Sequence, residues 1–83
     1  MSRVRLIIEG ESYMTLEGVA ECYQCELGWL REVYEFGLLG SGRRVERSIA
    51  IELAMLDRVA DVLRMTVYQG IDLAVVAVIL DID

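Results

Sequence analysis

Three observations predict a mainly α fold with a small β wing, arranged as a winged helix-turn-helix. Two short stretches of helical apolar spacing flank a tight break, a glycine- and arginine-rich segment follows them, and the longest helical pattern of the chain comes next. Eighty-three residues leave room for one core and no second domain. The expected organisation of this single domain, 1–83, is an N-terminal strand or arm over 1–14, a helix-turn-helix over 15–37, a wing over 40–50 and C-terminal helices over 51–82.

Arg3 to Glu9 alternates and then runs apolar before Gly10 and a polar stretch, which predicts one short strand. Leu16, Val19, Ala20 and Tyr23 recur at helical spacing behind Thr15, a natural N-cap, and Glu17 suits the positive end of the helix dipole. After the break at Gln24, Cys25 and Glu26, a second helix carries Leu27, Leu30, Val33 and Tyr34 on one face, with Arg31, Glu32 and Glu35 off it. Gly37 supplies a left-handed C′ residue, and Leu38 is placed to fold back as its apolar partner. Gly40, Ser41, Gly42, Arg43 and Arg44 read as a hairpin or wing whose glycines leave the loop free to move. From Ile51 to Gln69, Leu53, Leu56, Val59, Ala60, Leu63 and Val67 form the apolar stripe of a long helix ended by Gly70. The last segment, Leu73 to Leu80, is apolar all round. Its valines suit a strand, but an Asp72 cap directly behind a glycine stop favours a helix, which is the expectation.

Fourteen acidic residues against eight basic ones give a net charge of −6, and the chain has no histidine. Every basic residue is arginine, so imidazole bases, imidazole metal ligands and amine nucleophiles are all missing. The expectation is a protein without enzymatic activity or cofactor. An acidic surface also opposes broad binding to nucleic acid or anionic membranes and suits a basic partner. Met1 to Arg5 shows no secretory pattern, and the apolar stretch at the C-terminal end is shorter than the roughly 20 residues a membrane helix needs. A cytoplasmic protein with reduced thiols is expected.

Leu16, Val19 and Ala20, then Leu30–Arg31, then Gly37–Leu38–Leu39 resemble the L-R-x-x-x-x-x-G-L-L pattern of MerR-like winged-helix proteins. The long helix running into Gly70–Ile71–Asp72–Leu73–Ala74 is similar to the chaperone-modulator branch of that group, the CbpM-like and DafA-like proteins. Together the similarity covers Thr15 to Asp81. It implies one of two functions. In the chaperone-modulator branch the module binds a J-domain co-chaperone of the Hsp70 system, and the residues matching that role are Trp29, Glu32, Glu35 and Phe36. In the MerR-like regulators the second helix enters the major groove, which here assigns DNA contacts to Arg31 and to the wing residues Arg43, Arg44 and Arg47.

The residues favour the first. Glu32 and Glu35 stand where a DNA reader would carry tyrosine or arginine, and carboxylates repel phosphate. The chain also ends at Asp83 with no heptad zipper to span two half-sites, although the three wing arginines still support DNA. Basic J-domain helices are complementary to an acidic partner, and Trp29 beside carboxylates has the composition of an interface hot spot. The plainer reading is that Trp29 covers the helix–wing junction and that the glutamates are a solvated face. Cys22 and Cys25 provide only two ligands of a four-cysteine site, which a dimer would have to complete, and they straddle a helix end where the dipole gives no thiolate stabilisation. Small turn and helix residues are the simpler reading of both. Asp57 and Asp61 read as a solvated acidic face, with Arg64 in reach of Asp61. The segment from Leu73 to Ile82 exceeds what one small core encloses, so a homodimer or partner contact around Val76 and Ile79 is expected.

Overall fold

The computed structural model describes residues 5–80. Strands β1 (Arg5–Ile8) and β2 (Glu11–Thr15) form an antiparallel hairpin. Glu9 and Gly10 both take positive φ in its two-residue turn, the I′ arrangement whose twist matches the strands. Helices α1 (Leu16–Tyr23) and α2 (Leu27–Glu35) follow, then β3 (Arg43–Val45) and β4 (Ser48–Glu52). A 3₁₀ turn at Leu53–Met55 leads into α3 (Leu56–Leu63), which widens into a π turn over Arg64–Tyr68, and α4 (Leu73–Leu80) closes the described chain.

All four strands belong to one antiparallel sheet in the order β1-β2-β4-β3. The fold is therefore α+β, and the arm and wing are a single structure. Sequence reasoning expected a mainly α domain with a separate arm because Glu11 to Thr15 is polar and short. Its strand character comes from two partners distant in the chain: Met14 pairs with Arg5 on one side and with Ile51 on the other. Such a central strand takes its stability from ladders on both edges and from burial of Tyr13 and Met14 on opposite faces. Of the strand expected over Arg3 to Glu9, Arg3 and Val4 lie outside the described residues, as do Asp81 and Ile82 of the expected C-terminal helices.

The local signals at the helix ends operate as their chemistry dictates. The Thr15 Oγ1 accepts the Gly18 N–H at 3.1 Å. At the end of α2 the Gly37 N–H reaches the Tyr34 carbonyl at 2.9 Å and the Leu38 N–H the Val33 carbonyl at 3.4 Å, the paired bonds of a Schellman cap. Gly37 has φ +82, and Leu38 is buried beneath it. α1 ends similarly, with Gln24 held at φ +55 and the Cys25 N–H bonded to the Ala20 carbonyl. The final segment is a helix, whose first turn closes on the Asp72 carbonyl.

The long helix departs from expectation at both ends. Ile51 and Glu52 belong to β4, so helical structure begins at Leu53. At the other end, the π turn inserts an extra residue into the spiral and rotates the stripe. The Gln69 N–H bonds to the Arg64 carbonyl, and the Thr66 hydroxyl donates to the Val62 carbonyl at 2.8 Å. After this turn Val67, expected in the core, is 61 % exposed. Ahead of it, in regular α-helix three residues after the buried Val59, Val62 lies outside the expected stripe yet is completely buried. The core is made by Met14, Leu16, Val19, Leu30, Val33, Leu38, Leu39, Ile51, Val59, Val62 and Val76, joining sheet, helix pair, long helix and α4. Among the described residues no helix is long and apolar enough to cross a membrane.

Candidate binding surfaces

Leu30 and Val33 anchor α2 in the core, which turns Gly28, Glu32 and Glu35 outward at 3.6 residues per turn. Trp29 and Phe36 lie along one flank of that outward face, about two turns apart, and Arg31 lies on the other. The four expected partner-binding residues therefore share one side of one helix. Glu32 and Glu35 are exposed, Phe36 is 47 % exposed, and Trp29 is half-buried. Among the described residues the ion pairs are Arg43–Glu9 and Arg64–Asp61, so neither glutamate is neutralised by a neighbour.

Trp29 is half-buried, packed against the core. It lines a groove of about 380 Å³ between the α1–α2 turn and the π turn, together with Tyr23, Glu26, Leu63, Val67 and Tyr68. Sequence reasoning missed this groove because Val67 and Tyr68 face it only after the π turn has rotated them. The Tyr23 ring is fixed from behind, its hydroxyl donating to the Leu56 carbonyl at 3.2 Å. Burial, reinforced by the nearby Asp57 and Cys22, raises the Tyr23 pKa and keeps the phenol neutral.

The wing arginines are divided. Arg43, Arg44 and Arg47 are all exposed, but Arg43 also bonds to Glu9 in the β1–β2 turn at 3.1 Å, and the Tyr13 hydroxyl together with Glu9 favours its charged form. The loop before the wing is tied down, contrary to its glycine-rich appearance. The Tyr34 hydroxyl donates to the Ser41 carbonyl, and Gly42 packs on the Tyr34 ring and the Ala50 carbonyl. Arg58 bonds across to the Leu38 carbonyl at 3.3 Å, joining α3 to the turn after α2.

Cys22 is exposed on α1, and Cys25 is half-buried in the following turn. Burial pushes the Cys25 thiol up from its ordinary pKa, which keeps it protonated and poorly nucleophilic at neutral pH. Asp61 is engaged by Arg64 at 2.7 Å. On α4, Val76 points into the core, so the expected contact around Val76 and Ile79 must be redrawn: Val75, Val78 and Ile79 form the exposed stripe. No family model matches the chain, and comparison with curated proteins and with solved structures finds no similar one.

Proposed function

We propose that this chain is a MerR-like winged helix-turn-helix module of the chaperone-modulator kind, acting in the cytoplasm without catalysis as an adaptor for a J-domain co-chaperone of the Hsp70 system. The observation that carries the reading is the outward face of α2, where Glu32 and Glu35 stand exposed and unneutralised beside the flank that carries Trp29 and Phe36. Paired aromatics beside carboxylates give a hot spot with an acidic rim, complementary to the basic helix that J-domains present. By covering that helix the module blocks its contact with Hsp70 or holds the pair in a defined assembly. Charge reversal at Glu32 and Glu35 slows association with an isolated J-domain and flattens its salt dependence; unchanged rates refute the assignment of this face. We extend the proposal to a homodimer through the α4 stripe of Val75, Val78 and Ile79, which sedimentation of the wild type and of Val78→Glu tests by whether the charge dissociates a dimer.

A second reading is a small MerR-like DNA-binding regulator or an excisionase-like protein, favoured by the exposure of Arg31, Arg44 and Arg47 beside a formed hairpin. With Arg43 engaged by Glu9, its electrostatic contribution is small against a net charge of −6. Alanine at Arg43, Arg44 and Arg47 abolishes binding in this reading and leaves J-domain affinity nearly unchanged in the first.

A further inference from the structure

We propose that the groove between the α1–α2 turn and the π turn is a receptor for an arginine side chain presented by a basic polypeptide partner. This goes beyond the α2-face reading, sharing with it Trp29 and the basic character of the partner; Glu26 and Tyr68, which only the groove uses, test it separately.

Three aromatic residues, Tyr23, Trp29 and Tyr68, line the groove together with Glu26. Aromatic faces attract a cation through their quadrupole, and a carboxylate at the rim completes the recognition. The Glu26 carboxylate is free for this. Although Glu26 occupies the N-cap position of α2, its side chain makes no capping hydrogen bond, and among the described residues it forms no ion pair. Arg64, next to Leu63 in the chain, is held by Asp61 and does not line the groove. At about 380 Å³ the space lies at the small end of ligand sites, suited to one large side chain and part of its neighbour.

The walls differ in mobility. Tyr23 is fixed by its bond to Leu56 and kept neutral, so it is an uncharged aromatic wall of the groove. Tyr68 is 78 % exposed at the end of the π turn, where it can fold over an inserted side chain. Leu63 and Val67 supply apolar wall for the methylene stem. Arginine fits better than lysine because its planar guanidinium stacks on aromatic faces while donating two bonds to a carboxylate.

Trp29 is the single tryptophan, so its fluorescence reads the groove directly. The probes are the blocked tripeptide Leu-Arg-Leu and its twins with lysine or neutral citrulline in the middle. Saturable change at millimolar concentration, ordered arginine above lysine above citrulline, is expected. Glu26→Gln and Tyr68→Ala each weaken arginine binding by about two- to five-fold, while Glu46→Gln, which removes one charge from the distant wing turn, does not. Both groove substitutions are at exposed positions, and circular dichroism verifies that the variants fold. Equal responses to arginine and citrulline, no saturable response, or equal weakening by Glu46→Gln overturns the proposal. A bound tripeptide with no J-domain binding leaves the groove standing and removes the chaperone reading; the converse removes the groove alone.

Discussion

Replacing Gly42 by alanine tests how the wing is attached to the helix pair. Gly42 sits at φ +65, where a side chain costs about 1–2 kcal/mol through its Cβ. A Cβ built there falls 2.6 Å from the Ala50 carbonyl oxygen and 3.2 Å from the Tyr34 ring. The oxygen belongs to β4, which is paired on both sides, so the strand cannot retreat without disturbing two ladders. Overpacking of this kind costs about 1–3 kcal/mol, for a total of about 2–5 kcal/mol. A domain of this size has only about 4–12 kcal/mol of stability to lose. Gly40→Ala is the control. Gly40 has a similar φ of +76, but its nearest neighbours are Met55 side-chain atoms at 3.9 Å, so only the backbone cost of about 1–2 kcal/mol applies. Urea denaturation of both variants separates the contributions: Gly42→Ala should lose at least about 1 kcal/mol more than Gly40→Ala. Equal losses would show that the wing is not pinned between Tyr34 and β4.

Gln24→Gly, at φ +55 in the cap of α1, should raise stability by about 0.5–1 kcal/mol, read by thermal melting. Val62→Ala should cost about 1.5–3 kcal/mol and Val67→Ala less than about 0.5 kcal/mol; the reverse order would contradict the placement of Val62 in the core and of Val67 outside it after the π turn. Alkaline pH should destabilise the fold. Burial raises the folded pKa of both the Cys25 thiol and the Tyr23 phenol, so stability is whole below their ordinary values of 9.0 and 10.0 and falls as pH rises through the higher folded values. Cys25→Ala should remove the earlier part of that fall in denaturation curves taken from neutral to alkaline pH.

Features encoded by neighbouring residues are legible in the sequence alone. Thr15 followed by a helical stripe and Gly37 followed by Leu38 each specify a local conformation that forms as expected, and the apolar run behind Gly70–Ile71–Asp72 is the expected helix. β2 is not legible, because its strand state depends on Met14 meeting Arg5 and Ile51, partners that no local pattern in Glu11 to Thr15 announces. The π turn is equally hidden. Periodicity at 3.6 residues places Val67 inside, and only the carbonyl bonds at Arg64 and Met65 reveal the slip. The candidate surfaces divide along the same line. Glu32, Glu35 and Phe36 can be placed on one face from α2 alone, whereas the groove beside Trp29 depends on residues 23–29 meeting residues 63–68.

The most direct test of the central proposal is titration calorimetry of the protein against an isolated J-domain at low and moderate salt. Binding with a defined stoichiometry that weakens as salt rises, and weakens further on charge reversal at Glu32 and Glu35, is the predicted result. No heat of binding at either salt, in a protein that then retains a DNA fragment through Arg44 and Arg47, would contradict it.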